Sequence, residues 1–90
     1  MTDTKYNGWT NYETWNVALW LSEEDWQGQN ERTIRKLDTY DLGKHLQEYI
    51  EEFVPDIKGC YADMLNASIR AVNWHEIATN YKSELEEEAA

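Results

Sequence analysis

Few residues in this 90-residue chain have the chemistry to start a reaction or hold a metal. The nitrogen and sulfur ligands are His45, Cys60 and His75 alone, and the spacing between neighbours is 15 residues. Zinc sites take their ligands at short intervals, as in C-x-x-C or H-x-x-x-H, because adjacent turns must present them together. His45 and Glu48 do stand at i, i+3, the spacing of di-metal carboxylate bundles. Such a site needs that motif twice, with two further glutamates on facing helices, and the chain has one copy. Cys60 with a histidine has the composition of a nucleophilic pair but no recognisable context. The four glycines form no phosphate-cradling loop, and a cleft of catalytic size is hard to build in so short a chain. The expectation is no catalytic residue, no cofactor and no metal. A small enzyme or metal protein using His45, His75 or Cys60 stands as the reading from another class.

Charge points elsewhere. Eighteen acidic residues face eight basic ones, a net charge of -10. Such a field repels nucleic acid and anionic membranes and suits a partner with a basic surface. The one basic cluster, Arg32, Arg35 and Lys36, reads as a solvated helix face that can pair with Glu31, so direct nucleic-acid binding is not expected. The acidic residues gather in two groups, Glu23-Glu24-Asp25 and Glu48, Glu51, Glu52. These six are the candidate partner-binding charges. They also suggest a DNA mimic, since duplex DNA carries about one charge per 1.7 Å of axis. Solubility alone would explain the same acids.

Five Trp, six Tyr and one Phe supply core material, each aromatic removing about 150–250 Å² from water when buried. They are enough that some need not be core. Trp20 and Trp26 are the candidate apolar anchors, because Trp is favoured at interfaces. Either all five Trp fill the core, or a homodimer or another partner covers the excess, so the chain is expected to be a monomer or a homodimer. The lone Cys60 fits a reducing compartment. No apolar leader or membrane-length run is visible, and the expectation is a cytoplasmic protein that engages no membrane.

The elements that must position these residues read as helices. Thr10-Asn11-Tyr12-Glu13 matches a capping box, with Thr10 as the cap and Glu13 reaching back to it. On that reading, removing the Thr10 hydroxyl costs on the order of 1 kcal/mol. A helix over 11–21 follows, apolar on most sides and therefore expected to be central. Residues 22–30 are ambiguous, and Glu31 to Leu37 is a weak helix. Asp38, Thr39 and Asp41 are candidate caps for a helix over 40–53 with the stripe Leu42, Leu46, Tyr49, Ile50, Phe53. Pro55 ends it. A helix over 60–72 carries Tyr61, Met64, Leu65, Ser68, Ile69 and Val72 on one side. Asn73 caps a last helix over 74–86, with Glu76 in capping-box position and Trp74, Ile77, Ala78, Tyr81 and Leu85 as its stripe. No strand pattern competes. The expected fold is all-α: one domain over 1–90, a compact bundle of four or five short helices around an aromatic core, with 1–6 and 87–90 frayed.

Two segments carry a resemblance. Asn7-Gly8-Trp9-Thr10-Asn11-Tyr12-Glu13-Thr14-Trp15-Asn16-Val17-Ala18-Leu19-Trp20-Leu21 resembles the N-terminal signature of a group of small, uncharacterised phage- and plasmid-borne proteins. Val72-Asn73-Trp74-His75-Glu76-Ile77-Ala78 is similar to their second signature, a W-x-E-I-A segment. The resemblance implies a mobile-element origin and no catalytic residues. With the charge, it leads to the expectation of a non-enzymatic acidic protein that binds and modulates a host protein, or, as a DNA mimic, inhibits a nucleic-acid-binding one of the restriction or CRISPR type.

Overall fold

The computed structural model describes residues 6–89, with the side chains of 6–87. Six helices follow in order: α1 (Tyr12–Glu23), α2 (Trp26–Gln29), α3 (Glu31–Lys36), α4 (Thr39–Glu52), α5 (Cys60–Ala71) and α6 (Trp74–Ala89). No strand forms among the described residues. The fold is all-α, and the count rises above the expected four or five because the 26–36 stretch is two short helices. The molecule measures 48 × 38 × 23 Å, so its thinnest dimension is about two helix diameters.

The main joint is between α4 and α6. Leu42 and Leu46 from α4 meet Ile77, Ala78, Tyr81 and Leu85 from α6, joined by Leu21, Trp26, Ile34 and Val72. The two helices come close at Gly43, where a Cβ would lie 3.4 Å from the Trp74 backbone and 3.5 Å from the His75 nitrogen, in ordinary van der Waals contact. Trp26 is 2% exposed and stacks on Tyr81 at 5.6 Å between centroids, with His45 and Tyr49 rings beyond. α3 is tied to α6 through Lys82, whose ammonium donates to the carbonyls of Ile34 (2.9 Å) and Leu37 (2.6 Å). A cation at the carbonyl end of a helix satisfies acceptors that have no partner inside it.

Capping partly departs from expectation. The α1 cap is Asn11, one residue beyond Thr10: its Oδ1 accepts from the Thr14 amide (2.9 Å) and the Thr14 hydroxyl (2.6 Å). Thr14 is fully buried, and its oxygen in turn accepts from the Asn73 amide at 2.8 Å. The Asn11 side-chain amide donates to the Ala71 carbonyl at 2.7 Å. Asn73 caps α6 as expected, accepting from the Glu76 amide at 3.0 Å. The Glu76 carboxylate does not close the box. It accepts from the Thr10 backbone amide at 3.0 Å, while the Thr10 hydroxyl accepts from Asn73 Nδ2 at 3.3 Å. The two signature segments, some 60 residues apart in sequence, therefore meet as one polar clasp. On α4 the cap is Asp38, which accepts from the Asp41 amide at 2.8 Å.

Other expectations are corrected. α1 is not central: Thr14 and Leu21 are its buried residues, and Tyr12, Leu19 and Trp20 face solvent. Phe53, Tyr61 and Met64 lie on apolar stripes yet are exposed. Tyr6 is not loose. It exchanges backbone hydrogen bonds with Trp9 (2.7 and 2.8 Å) across Asn7 and Gly8, whose φ of 47° and 89° are those of a tight two-residue turn. α6 runs to Ala89, past its expected end. The loose ends expected at 1–5 and 90 lie outside the described residues.

The clasp makes a ranked prediction. Thr14→Val keeps the shape but leaves the part-buried Asn73 amide without an acceptor, at about 1–3 kcal/mol. Asn11→Ala removes the cap and the bond to Ala71, at about 1–2 kcal/mol. Thr10→Ala loses one long, exposed bond and costs less than about 1 kcal/mol. Urea unfolding of the three variants checks the order, and a larger loss for Thr10→Ala than for Asn11→Ala would return the cap to Thr10.

Candidate functional site

α4 ends at Glu52, and Pro55 prevents its continuation. The chain then runs without helix to Gly59, which starts α5 at φ +73°, a conformation that side-chain-bearing residues rarely adopt. This link sets α5 apart from α4. α5 packs chiefly on α1 and buries Ile69 alone among its residues. Between α1, the end of α4 and α5 the structure leaves a groove of about 400 Å³. It is lined by Val17, Ile50, Leu65 and Ile69 among others, and by the rings of Tyr12 and Phe53. Tyr12 is 51% exposed and Phe53 68%. Phe53 packs edge-on against Tyr49 at 5.1 Å. Tyr12 continues into a surface cluster with Tyr6 and Trp15.

The polar lip of this groove is acidic. Glu13 and Glu24 line it, and no Lys or Arg does. Glu13, expected to serve the helix cap, instead lines the groove. The Tyr49 hydroxyl donates to Glu24 Oε2 over a long 3.4 Å. Burial, then the Glu24 charge and this bond, push the Tyr49 phenol up from its usual range. Among the described residues the one ion pair is the exposed Arg35–Glu31 contact at 2.8 Å, so neither lip carboxylate is neutralised by a cation there.

The six expected partner-binding acids, Glu23, Glu24, Asp25, Glu48, Glu51 and Glu52, are all at the surface. The Glu24–Tyr49 contact brings the first group beside α4, next in sequence to Glu48. Asp25, though exposed, lies over α2: a Cβ on Gly28 would lie 2.6 Å from its carboxylate. Trp20 is 61% exposed. Trp26 is corrected from anchor to core, since its ring lies beneath α4 and α6. Glu13, Tyr12, Val17 and Phe53 were missed as site residues. Their sequence signal is the pair Pro55 and Gly59, which holds α5 away from α4.

His45, Cys60 and His75 sit on three different helices. Among the described residues no three His, Cys, Asp or Glu side chains converge as a metal site. No helix of the described residues is long and apolar enough to cross a membrane.

The profile of DUF7249, a family of unknown function, matches residues 2–89. The chain belongs to DUF7249. No curated protein and no solved structure matches it. In this DUF7249 chain both segments of the clasp fall inside the matched range.

Behind the groove, burial pushes the Tyr81 phenol up to about 12, helped by the charges of Glu84 and Glu24. Its ordinary value is 10.0. Below pH 10 the phenol is neutral whether the chain is folded or not. Between about pH 10 and 12 only the unfolded chain ionises there, so stability falls across that window. Unfolding followed from pH 9 to 12 is expected to show that decline, and Tyr81→Phe to make it shallower. An equal decline in the variant would place the high-pH transition elsewhere.

Proposed function

We propose that this DUF7249 chain is a non-enzymatic interaction domain, encoded by a phage or plasmid, that binds and modulates a protein in the host cytoplasm through the acid-lipped groove of α1, α4 and α5. The observation that carries the reading is the groove itself: apolar walls open to solvent, bordered by Glu13 and Glu24 with no cation among the lining residues. Clustered exposed apolar surface rimmed by polar groups marks interaction sites, and the volume is that of a binding cleft, typically about 300–1,000 Å³. The origin rests on the resemblance of the two signature segments, and the host-protein partner on the net charge of -10. Trp20, exposed on α1, lies outside the groove and is no part of this reading.

DNA mimicry is the second reading, favoured by the contact that sets Glu24 beside α4. It needs the acidic faces and not the groove, and the two readings separate on that point. Tagged chain is used to capture host proteins with and without excess duplex DNA, beside the variants Phe53→Ser and Glu48→Lys/Glu51→Lys/Glu52→Lys. The groove reading expects the partner to survive DNA and be lost with Phe53→Ser, a substitution at an exposed site that leaves the fold in place. A partner released by DNA and by the triple charge reversal, yet retained by Phe53→Ser, would contradict it in favour of mimicry.

A further inference from the structure

Resting on the reading of the groove as a protein-binding site, we infer that its occupant is an amphipathic α-helix of a partner protein, with apolar side chains seated between Tyr12 and Phe53 and Lys or Arg beside them facing Glu13 and Glu24. Three observations lead to this class.

First, the groove is walled mostly by helices, with Glu24, Phe53, Val54, Pro55 and Val72 contributed by the residues that follow them. The backbone groups of α1, α4 and α5 are largely used inside those helices, so the polar partners left to a ligand are a few side chains such as Asn16 and Ser68. An extended peptide brings one donor and one acceptor per residue that must be satisfied, and no sheet edge is present among the described residues to receive them. A helix satisfies its own backbone and offers anchors at i, i+3, i+4 and i+7.

Second, the charge is one-sided. Glu13 lies on the first turn of α1 and Glu24 just past its end, so the acidic lip extends the length of that helix. A helix of 12 residues spans about 18 Å. A cationic row along a docked helix would meet both ends, whereas an acidic helix would meet repulsion throughout.

Third, the described residues hold no such helix of cationic, amphipathic character for a second copy to donate. Its basic cluster, Arg32, Arg35 and Lys36, belongs to the six-residue α3. The apolar residue of that turn, Ile34, is 1% exposed and committed to the core. Two copies would also bring together chains that each carry a net charge of -10.

The test uses three labelled peptides of about 18 residues, long enough to hold a helix on binding: a Leu/Lys amphipathic helix, a Leu/Glu helix of the same pattern, and a scrambled Leu/Lys sequence. Anisotropy titrations of the full chain are run at physiological salt, with sedimentation of the chain alone. The inference expects saturable binding of the Leu/Lys helix, at least about ten-fold tighter than either control. Phe53→Ser, or Glu13→Gln with Glu24→Gln, is expected to weaken it about ten-fold, and Trp20→Ser to leave it unchanged. Equal binding of the scrambled peptide would reduce the interaction to charge attraction, and equal binding of the Leu/Glu helix would remove the role of the lip. Either result overturns the inference. So does a homodimer that Phe53→Ser dissociates, because a second copy then fills the groove. Failure of all three peptides, with a host partner still captured and still lost in Phe53→Ser, overturns the helical occupant alone. Retention of that partner by Phe53→Ser overturns the groove reading beneath it.

Discussion

One buried hydroxyl ties the two ends of this fold together. Thr14 donates to Asn11 and accepts from the Asn73 amide, so a single oxygen joins the start of α1 to the junction of α5 and α6. Both neighbours are themselves helix caps, Asn11 of α1 and Asn73 of α6. Asn73 caps through its side-chain oxygen while its backbone N–H donates to Thr14. Each cap is made by its own helix, and the bond between them fixes how the helices meet. Because Thr14 is fully buried, its own hydroxyl cannot turn to water if a partner is lost, and the arrangement is costly to leave half-made.

The groove follows from that constraint. The clasp holds α1 against the residues that end α5, while Pro55 and Gly59 set the beginning of α5 away from α4. α5 is thus anchored near Ile69 and Val72, and its Tyr61 and Met64 remain uncovered. The apolar cleft is the space left between an anchored end and a displaced one. Its charge comes from α1, where Glu13 is released from capping duty because Asn11 performs it.

The sequence carried the helices far better than their surroundings. Asp38, Asn73 and Pro55 are local signals, and the bounds of α4 and α5 fall within about a residue or two of those expected from them. The misplaced cap shows where locality ends. Both Thr10 with Glu13 and Asn11 with Thr14 have suitable spacing, and the choice between them was made by Asn73 and Glu76 from across the chain. Trp26 and Phe53 erred in opposite directions for one reason. A stripe identifies which face of a helix is apolar, but not which helix covers it. Trp26 followed an ambiguous turn and became core, whereas Phe53 completed a clean stripe and remained outside. Of the groove, Glu24 was legible as an exposed acid. Glu13 was hidden by the capping pattern it happened to fit.

The most direct measurement is an amide chemical-shift map of the isotope-labelled chain, titrated with the Leu/Lys amphipathic peptide. Perturbations are predicted to concentrate at Tyr12 to Val17, at Ile50 to Val54 and along Leu65 to Val72, leaving the outer face of α6 unmoved. Perturbations that instead follow Glu48, Glu51, Glu52 and Trp20, with the groove amides silent, would contradict the claim that this groove is where the protein works.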